Sequence, residues 1–63
     1  MTEYLDLSSL GNKVFESLNE YNNEYDVLNL SDNQLTSLPK SIVKFTRLTT
    51  LDLSNNQLTI IFI

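Results

Sequence analysis

The chain has 63 residues, no Cys, no His, and a net charge of −4 from four basic and eight acidic side chains. That length holds one small domain, and the missing residue types exclude a zinc site of the usual kind, a thiol nucleophile and an imidazole base. The acidic balance argues against a nucleic-acid binder, which needs a basic stripe to displace counterions.

Met1, Thr2 and Glu3, with Asp6 close behind, form neither the basic region nor the long apolar run of a signal peptide. The longest apolar run, Ile60 to Ile63, is far too short to cross a membrane. A cytoplasmic setting without membrane contact is therefore expected. Asn29-Leu30-Ser31 fits a glycosylation sequon, but with no secretion signal read here it is expected to be a coincidence of the repeat.

Leu5-Asp6-Leu7-Ser8 alternates as a short strand does. A helical pattern follows, in which Leu10, Val14, Leu18 and Tyr21 share a face with Phe15 beside it. It predicts an amphipathic helix over 12–21, ended by the Asn22-Asn23 pair. Val27-Leu28-Asn29-Leu30-Ser31 again has period two, so Leu28 and Leu30 face one way and Val27, Asn29 and Ser31 the other. Beyond Pro39, Leu38, Ile42 and Phe45 recur at helix-like spacing and predict a short helical or 3₁₀ turn over 40–45, with Lys40, Lys44 and Arg47 solvated.

The chain also repeats itself. Leu28-Asn29-Leu30-Ser31-Asp32-Asn33-Gln34-Leu35-Thr36 is matched by Leu51-Asp52-Leu53-Ser54-Asn55-Asn56-Gln57-Leu58-Thr59, an offset of 51 − 28 = 23 residues. A short period of this kind describes stacked units rather than one globular core. Stacking the copies makes a parallel sheet with strands about 4.8 Å apart. The turn after each strand leaves backbone donors and acceptors to satisfy, and the amides of Asn33 and Asn56 can serve both kinds.

Tyr25, Leu28, Leu30, Asn33, Leu35, Leu38 and Ile42 fall on one copy, and Leu48, Leu51, Leu53, Asn56, Leu58 and Ile61 on the next. This pattern, LxxLxLxxNxL followed by LPxxI, resembles the leucine-rich repeat family, strongly over residues 25–63 and weakly over 4–8. The resemblance implies an α/β fold: a short solenoid with the parallel sheet on its concave side and short helical or 3₁₀ turns on its convex side. It also implies an internal ladder built by Asn33 and Asn56. The first copy departs, with Leu10 at the ladder position and Asn12 at the next leucine position. Residues 1–24 are accordingly expected to be an N-terminal capping repeat, 25–47 a full repeat, and 48–63 a partial repeat with an uncapped apolar end.

No catalytic constellation is visible, and Ser8, Ser31 and Ser54 recur only because the repeat recurs. A non-enzymatic protein-binding module without metal or cofactor is expected. Its concave face would carry Tyr4, Asp6 and Ser8, then Val27, Asn29 and Ser31, then Thr50, Asp52 and Ser54, flanked by Glu3, Asp26 and Asp32. Five acids and no bases fall there, which suits a cationic segment of a partner protein. The bland alternative is a solvated sheet face kept polar. Leu58, Ile60, Ile61, Phe62 and Ile63 make the C-terminal end apolar, and a bare strand edge invites pairing with another chain. The expected outcome is a homodimer through that end, with edge strands antiparallel around Asp52. A self-assembling structural protein and a piece of a longer repeat protein remain as alternatives.

Overall fold

A computed structural model describes residues 1–21, 24–38 and 40–58. Three strands, β1 (Tyr4–Asp6), β2 (Val27–Asn29) and β3 (Thr50–Asp52), form one parallel sheet in the order β1-β2-β3. Tyr4 pairs with Val27 and Val27 with Thr50, so each step advances 27 − 4 = 50 − 27 = 23 residues. The first copy thus keeps the period of the others, although its sequence after the strand has lost the pattern.

Every strand ends at the same place for the same reason. The side-chain Oδ1 of Asp6, Asn29 and Asp52 accepts a hydrogen bond from the N–H two residues on, in Ser8, Ser31 and Ser54, at 3.0, 2.9 and 3.0 Å. A short polar side chain that bonds its own backbone in this way turns the chain out of the strand. The bend is completed by Ser9, Asp32 and Asn55, spaced at 23, with φ of 58°, 59° and 56°.

Between β1 and β2 runs a 3₁₀ turn, Gly11–Lys13, and then a short helix α1 (Val14–Asn19). The expected helix over 12–21 is therefore only six residues of α-helix. Gly11 at φ 59° and the 3₁₀ turn delay its start, and neither turn nor helix has a side-chain N-cap bond. At the far end Glu20 N–H bonds the Ser17 carbonyl and Tyr21 N–H the Leu18 carbonyl, three-residue closures that tighten the chain out of the helix. Tyr21 is held there by an edge-on contact with Tyr25, ring centres 5.9 Å apart. The Asn22-Asn23 pair expected to stop the helix lies outside the described residues. Between β2 and β3 the chain forms a 3₁₀ helix, Lys40–Lys44, within the expected span, which packs against α1. Pro39, expected to set up this turn, lies outside the described residues.

Leu5, Leu7, Val14, Leu18, Leu28, Leu30, Leu35 and Phe45 form the core. Each leucine fully withdrawn from water contributes roughly 1.5–3 kcal/mol. The middle copy is the most deeply packed, with Leu28 and Leu30 at 0% exposure. The corresponding Leu51, Leu53 and Leu58 of the third copy are only half-buried. Phe15, one position off the apolar stripe of α1, is 50% exposed. Among the described residues no helix is long and apolar enough to cross a membrane.

Candidate functional site

Asn33 joins the first two copies. Its Nδ2 donates to the carbonyls of Leu7, Leu30 and Ser31 at 2.9, 3.0 and 3.2 Å, and its Oδ1 accepts from the N–H groups of Leu10 and Gly11 at 2.8 and 3.1 Å. Asn56 repeats the arrangement one copy on. Its Nδ2 donates to Leu30, Leu53 and Ser54 carbonyls, and its Oδ1 accepts from Asn33 and Leu35 N–H. Each amide uses donor and acceptor together, which few side chains can do. A buried turn would otherwise leave these backbone groups unpaired at about 1–3 kcal/mol each. Leu10 stands where a first-copy amide would be, and instead packs against the core. β1 is the edge of the described sheet, so an amide there would have no earlier carbonyl to reach.

The opposite face of the sheet is the polar one. Tyr4 is 71% exposed. Asp6, Thr50 and Asp52 are exposed, while Val27 and Asn29, on the central strand, are half-buried between their neighbours. Ser31, expected on this face, is instead buried. It belongs to the turn, where its carbonyl receives Ser9 N–H and the Asn33 amide. Asp32 is exposed but lies in the same turn, off the strand.

Asp6 and Asp52 both titrate below the ordinary carboxylate range. For Asp6 the largest cause is the Ser8 side-chain hydrogen bond, followed by the Ser8 backbone bond; for Asp52 it is the Ser54 backbone bond, followed by the Ser54 side chain. Asn29 sits between them in the register. The order Asp, Asn, Asp keeps two carboxylates from lying on adjacent strands.

Asp26 plays a different part from that of a free flanking acid. Its Oδ2 accepts Glu3 N–H at 2.9 Å and its Oδ1 lies 3.8 Å from the Arg47 guanidinium. Its carbonyl receives Thr49 and Thr50 N–H, as the Glu3 carbonyl receives Asp26 and Val27 N–H. The expectation that every base lies away from the acids is thus corrected: Arg47 comes back beside Asp26. The reason is the period. Glu3, Asp26 and Thr49 occupy the same position before their strands, so the loop carrying Arg47 enters β3 beside the start of β2. That alignment was available in the sequence at the 23-residue offset.

A surface cleft of about 380 Å³ beside the strand starts is lined by Met1, Glu3, Glu24, Tyr25 and Arg47. It opens off the sheet face, not over it. Among the described residues no group of three or more carboxylates could hold a metal ion. Leu58 is half-buried against the core, while Ile60, Ile61, Phe62 and Ile63 lie outside the described residues.

A family model described as leucine-rich repeats in two copies matches residues 25–62, more than half of the chain. Neither the curated proteins nor the solved structures include a match to it.

Proposed function

The chain belongs to the leucine-rich repeat family, and from that premise we propose that it is a non-enzymatic protein-binding module working through the polar face of its sheet. Domains of this family generally mediate protein–protein interaction. In this reading the strands line the concave side of a short solenoid and the helical stretches lie on its convex side. Residues 1–24 form an N-terminal cap, 25–47 a full repeat and 48–63 a partial one. The module acts in the cytoplasm.

The observation that carries the reading is Tyr4, 71% exposed on a strand and set beside Asp6. Tyrosine is among the residue types enriched at the hot spots that dominate interface energies. The carboxylates of Asp6 and Asp52 are already held by Ser8 and Ser54, so a cationic partner segment meets groups with little ordering left to lose. Three strands of three residues span only about 140 Å², against about 800 Å² per partner in a standard interface. The contact therefore has to extend to the flanking Glu3 and Asp32, with Val27, Asn29 and Thr50 at its centre.

The test compares partner capture by the wild-type chain and by a Tyr4→Ala, Asp6→Lys, Asp52→Lys variant. A partner lost on substitution and weakened by salt supports the face. One retained equally by a variant with unchanged circular dichroism rejects it.

Half-burial of Leu51, Leu53 and Leu58, where Leu28, Leu30 and Leu35 are buried, favours a second reading: self-association at the C-terminal end, with Leu58 and residues 60–63 forming the joint. The next repeat of a longer protein would cover the same end. Light scattering over a concentration series, repeated on Phe62→Glu, decides. A wild-type mass that stays monomeric rejects self-association.

A further inference from the structure

Two carboxylates and an amide lie in one row across the sheet face. In-register parallel pairing places Asp6 against Asn29 and Asn29 against Asp52. With strands about 4.8 Å apart, the two acids stand about 9.6 Å from each other. Each carboxylate is oriented by the N–H of Ser8 or Ser54. Asn29 brings no charge to the midpoint, but it brings a donor. Its Oδ1 is taken by Ser31 N–H at 2.9 Å, and its Nδ2 bonds no described residue. In the neighbouring row Tyr4, Val27 and Thr50 share the same face, with Tyr4 71% exposed.

We infer that this face takes a short polyproline-II segment of a partner protein, laid across the strands. Two arginine or lysine residues three apart meet Asp6 and Asp52, with proline or another uncharged residue between them. The inference rests on the reading of the face as a binding surface and names what it binds. The face spans only about 140 Å², which suits a linear segment better than a folded domain. The spacing selects the conformation. In polyproline II, residues three apart point the same way and lie about 9.3 Å apart. In a β-strand, same-face residues lie about 6.7 or about 13 Å apart. In an α-helix, residues seven apart lie about 10.5 Å apart, but a peptide of two turns is not helical alone in water. Ordering it would consume contact energy that so small a face cannot supply. Polyproline II is populated before binding and its carbonyls have no internal partners, so one above Asn29 accepts from Nδ2. A proline beside the cation over Asp6 packs on Tyr4, since proline-rich segments dock on aromatic side chains. This chain's own cations do not offer the pattern. Lys40 and Lys44 are four apart on a 3₁₀ helix and point about 120° away from each other. Arg47, three beyond Lys44, is engaged by Asp26.

The probes are three acetylated and amidated proline-rich peptides of identical composition, with two arginines placed two, three or four apart. Each is titrated at low salt into the full ¹⁵N-labelled chain, up to about 5 mM because exposed ion pairs bind weakly, and shifts are read by NMR. The peptide with arginines three apart should bind about threefold or more tightly than either isomer, the loss expected when one of two ion pairs cannot form. It should shift the amides of β1, β2 and β3 and the Asn29 side-chain amide, and weaken as salt rises. Replacing its prolines by glycines keeps the charges and the spacing but should weaken it, because the segment is no longer preorganised. Asp6→Asn with Asp52→Asn keeps both turn acceptors and should erase the preference among isomers without changing the circular dichroism. Equal binding by the three isomers would overturn the inference and leave the face a nonspecific acidic surface. Equal binding by the glycine version would overturn it too, as would shifts confined to residues off the sheet. No shift with any peptide would also overturn it; the sheet-face reading would then be judged separately, by whether the captured partner is lost on substitution of Tyr4, Asp6 and Asp52.

Discussion

Replacing Asn33 by leucine tests whether the stack is held by its amide ladder or by its leucines alone. The two side chains have similar length, and Asn33 is 4% exposed, so the substitution removes polar bonds without opening a large cavity. Of the five bonds lost, the Leu30 carbonyl keeps Asn56 as donor and the Ser31 carbonyl keeps Ser9. The Leu7 carbonyl and the Leu10 and Gly11 N–H groups lose the Asn33 amide. Gly11 is exposed and can turn to water, which leaves two groups at least half-buried. At about 1–3 kcal/mol each, with some return from the added apolar surface, the expected loss is about 2–4 kcal/mol. A chain of this length is stabilised by only about 3–9 kcal/mol in total. Urea denaturation followed by circular dichroism should show a much lower midpoint for Asn33→Leu. Asn33→Asp separates donor from acceptor. It retains the acceptors for Leu10 and Gly11 but turns a buried carboxylate toward three carbonyls. Burial raises its folded pKa, so relative to wild type this variant should gain stability as pH falls through that value and the protonated acid regains a donor. A midpoint for Asn33→Leu within error of wild type would refute the ladder argument.

Gln34 and Gly11 occupy equivalent positions, both at φ 59°. Gln34→Gly should therefore be stabilising by about 0.5 kcal/mol, and Gly11→Ala destabilising by a similar amount, since strain at positive φ outweighs the entropy of the unfolded chain; thermal midpoints measure both. Leu28→Ala should cost about 2–5 kcal/mol and Leu51→Ala about half as much, because the first side chain is fully buried and the second is not; equal losses would show that something covers the third copy. Asp6 and Asp52 are lowered in the fold by their bonds to Ser8 and Ser54. Their contribution is present above the ordinary carboxylate range and fades as pH falls through the lowered folded values. The Asp6→Asn, Asp52→Asn variant keeps the acceptor, as Asn29 does in the central strand, and its stability should fall less steeply on acidification. An acid limb as steep as in wild type would assign the loss to other carboxylates.

The 23-residue offset alone determines that the units stack in parallel register, because identical units present identical faces and bury them only against one another. Period-two leucines likewise determine which strand face is inward. The resemblance to leucine-rich repeats rested on residues 25–63, and the match over 25–62 places the chain in that family. Where local patterning competes with neighbours, the sequence misleads. The helix over 12–21 shrank to Val14–Asn19 because the pull of Tyr25 on Tyr21 and the left-handed Gly11 outweigh helical periodicity. Ser31 moved from face to turn because its carbonyl receives Ser9 N–H from the first copy and the Asn33 amide from its own, while its N–H bonds the Asn29 side chain. The shared use of Asn33 and Asn56 by successive copies and the half-covered third copy were decided only by tertiary structure. Each depends on which backbone groups lie across a strand gap, and that is set by the stack as a whole rather than by any one segment.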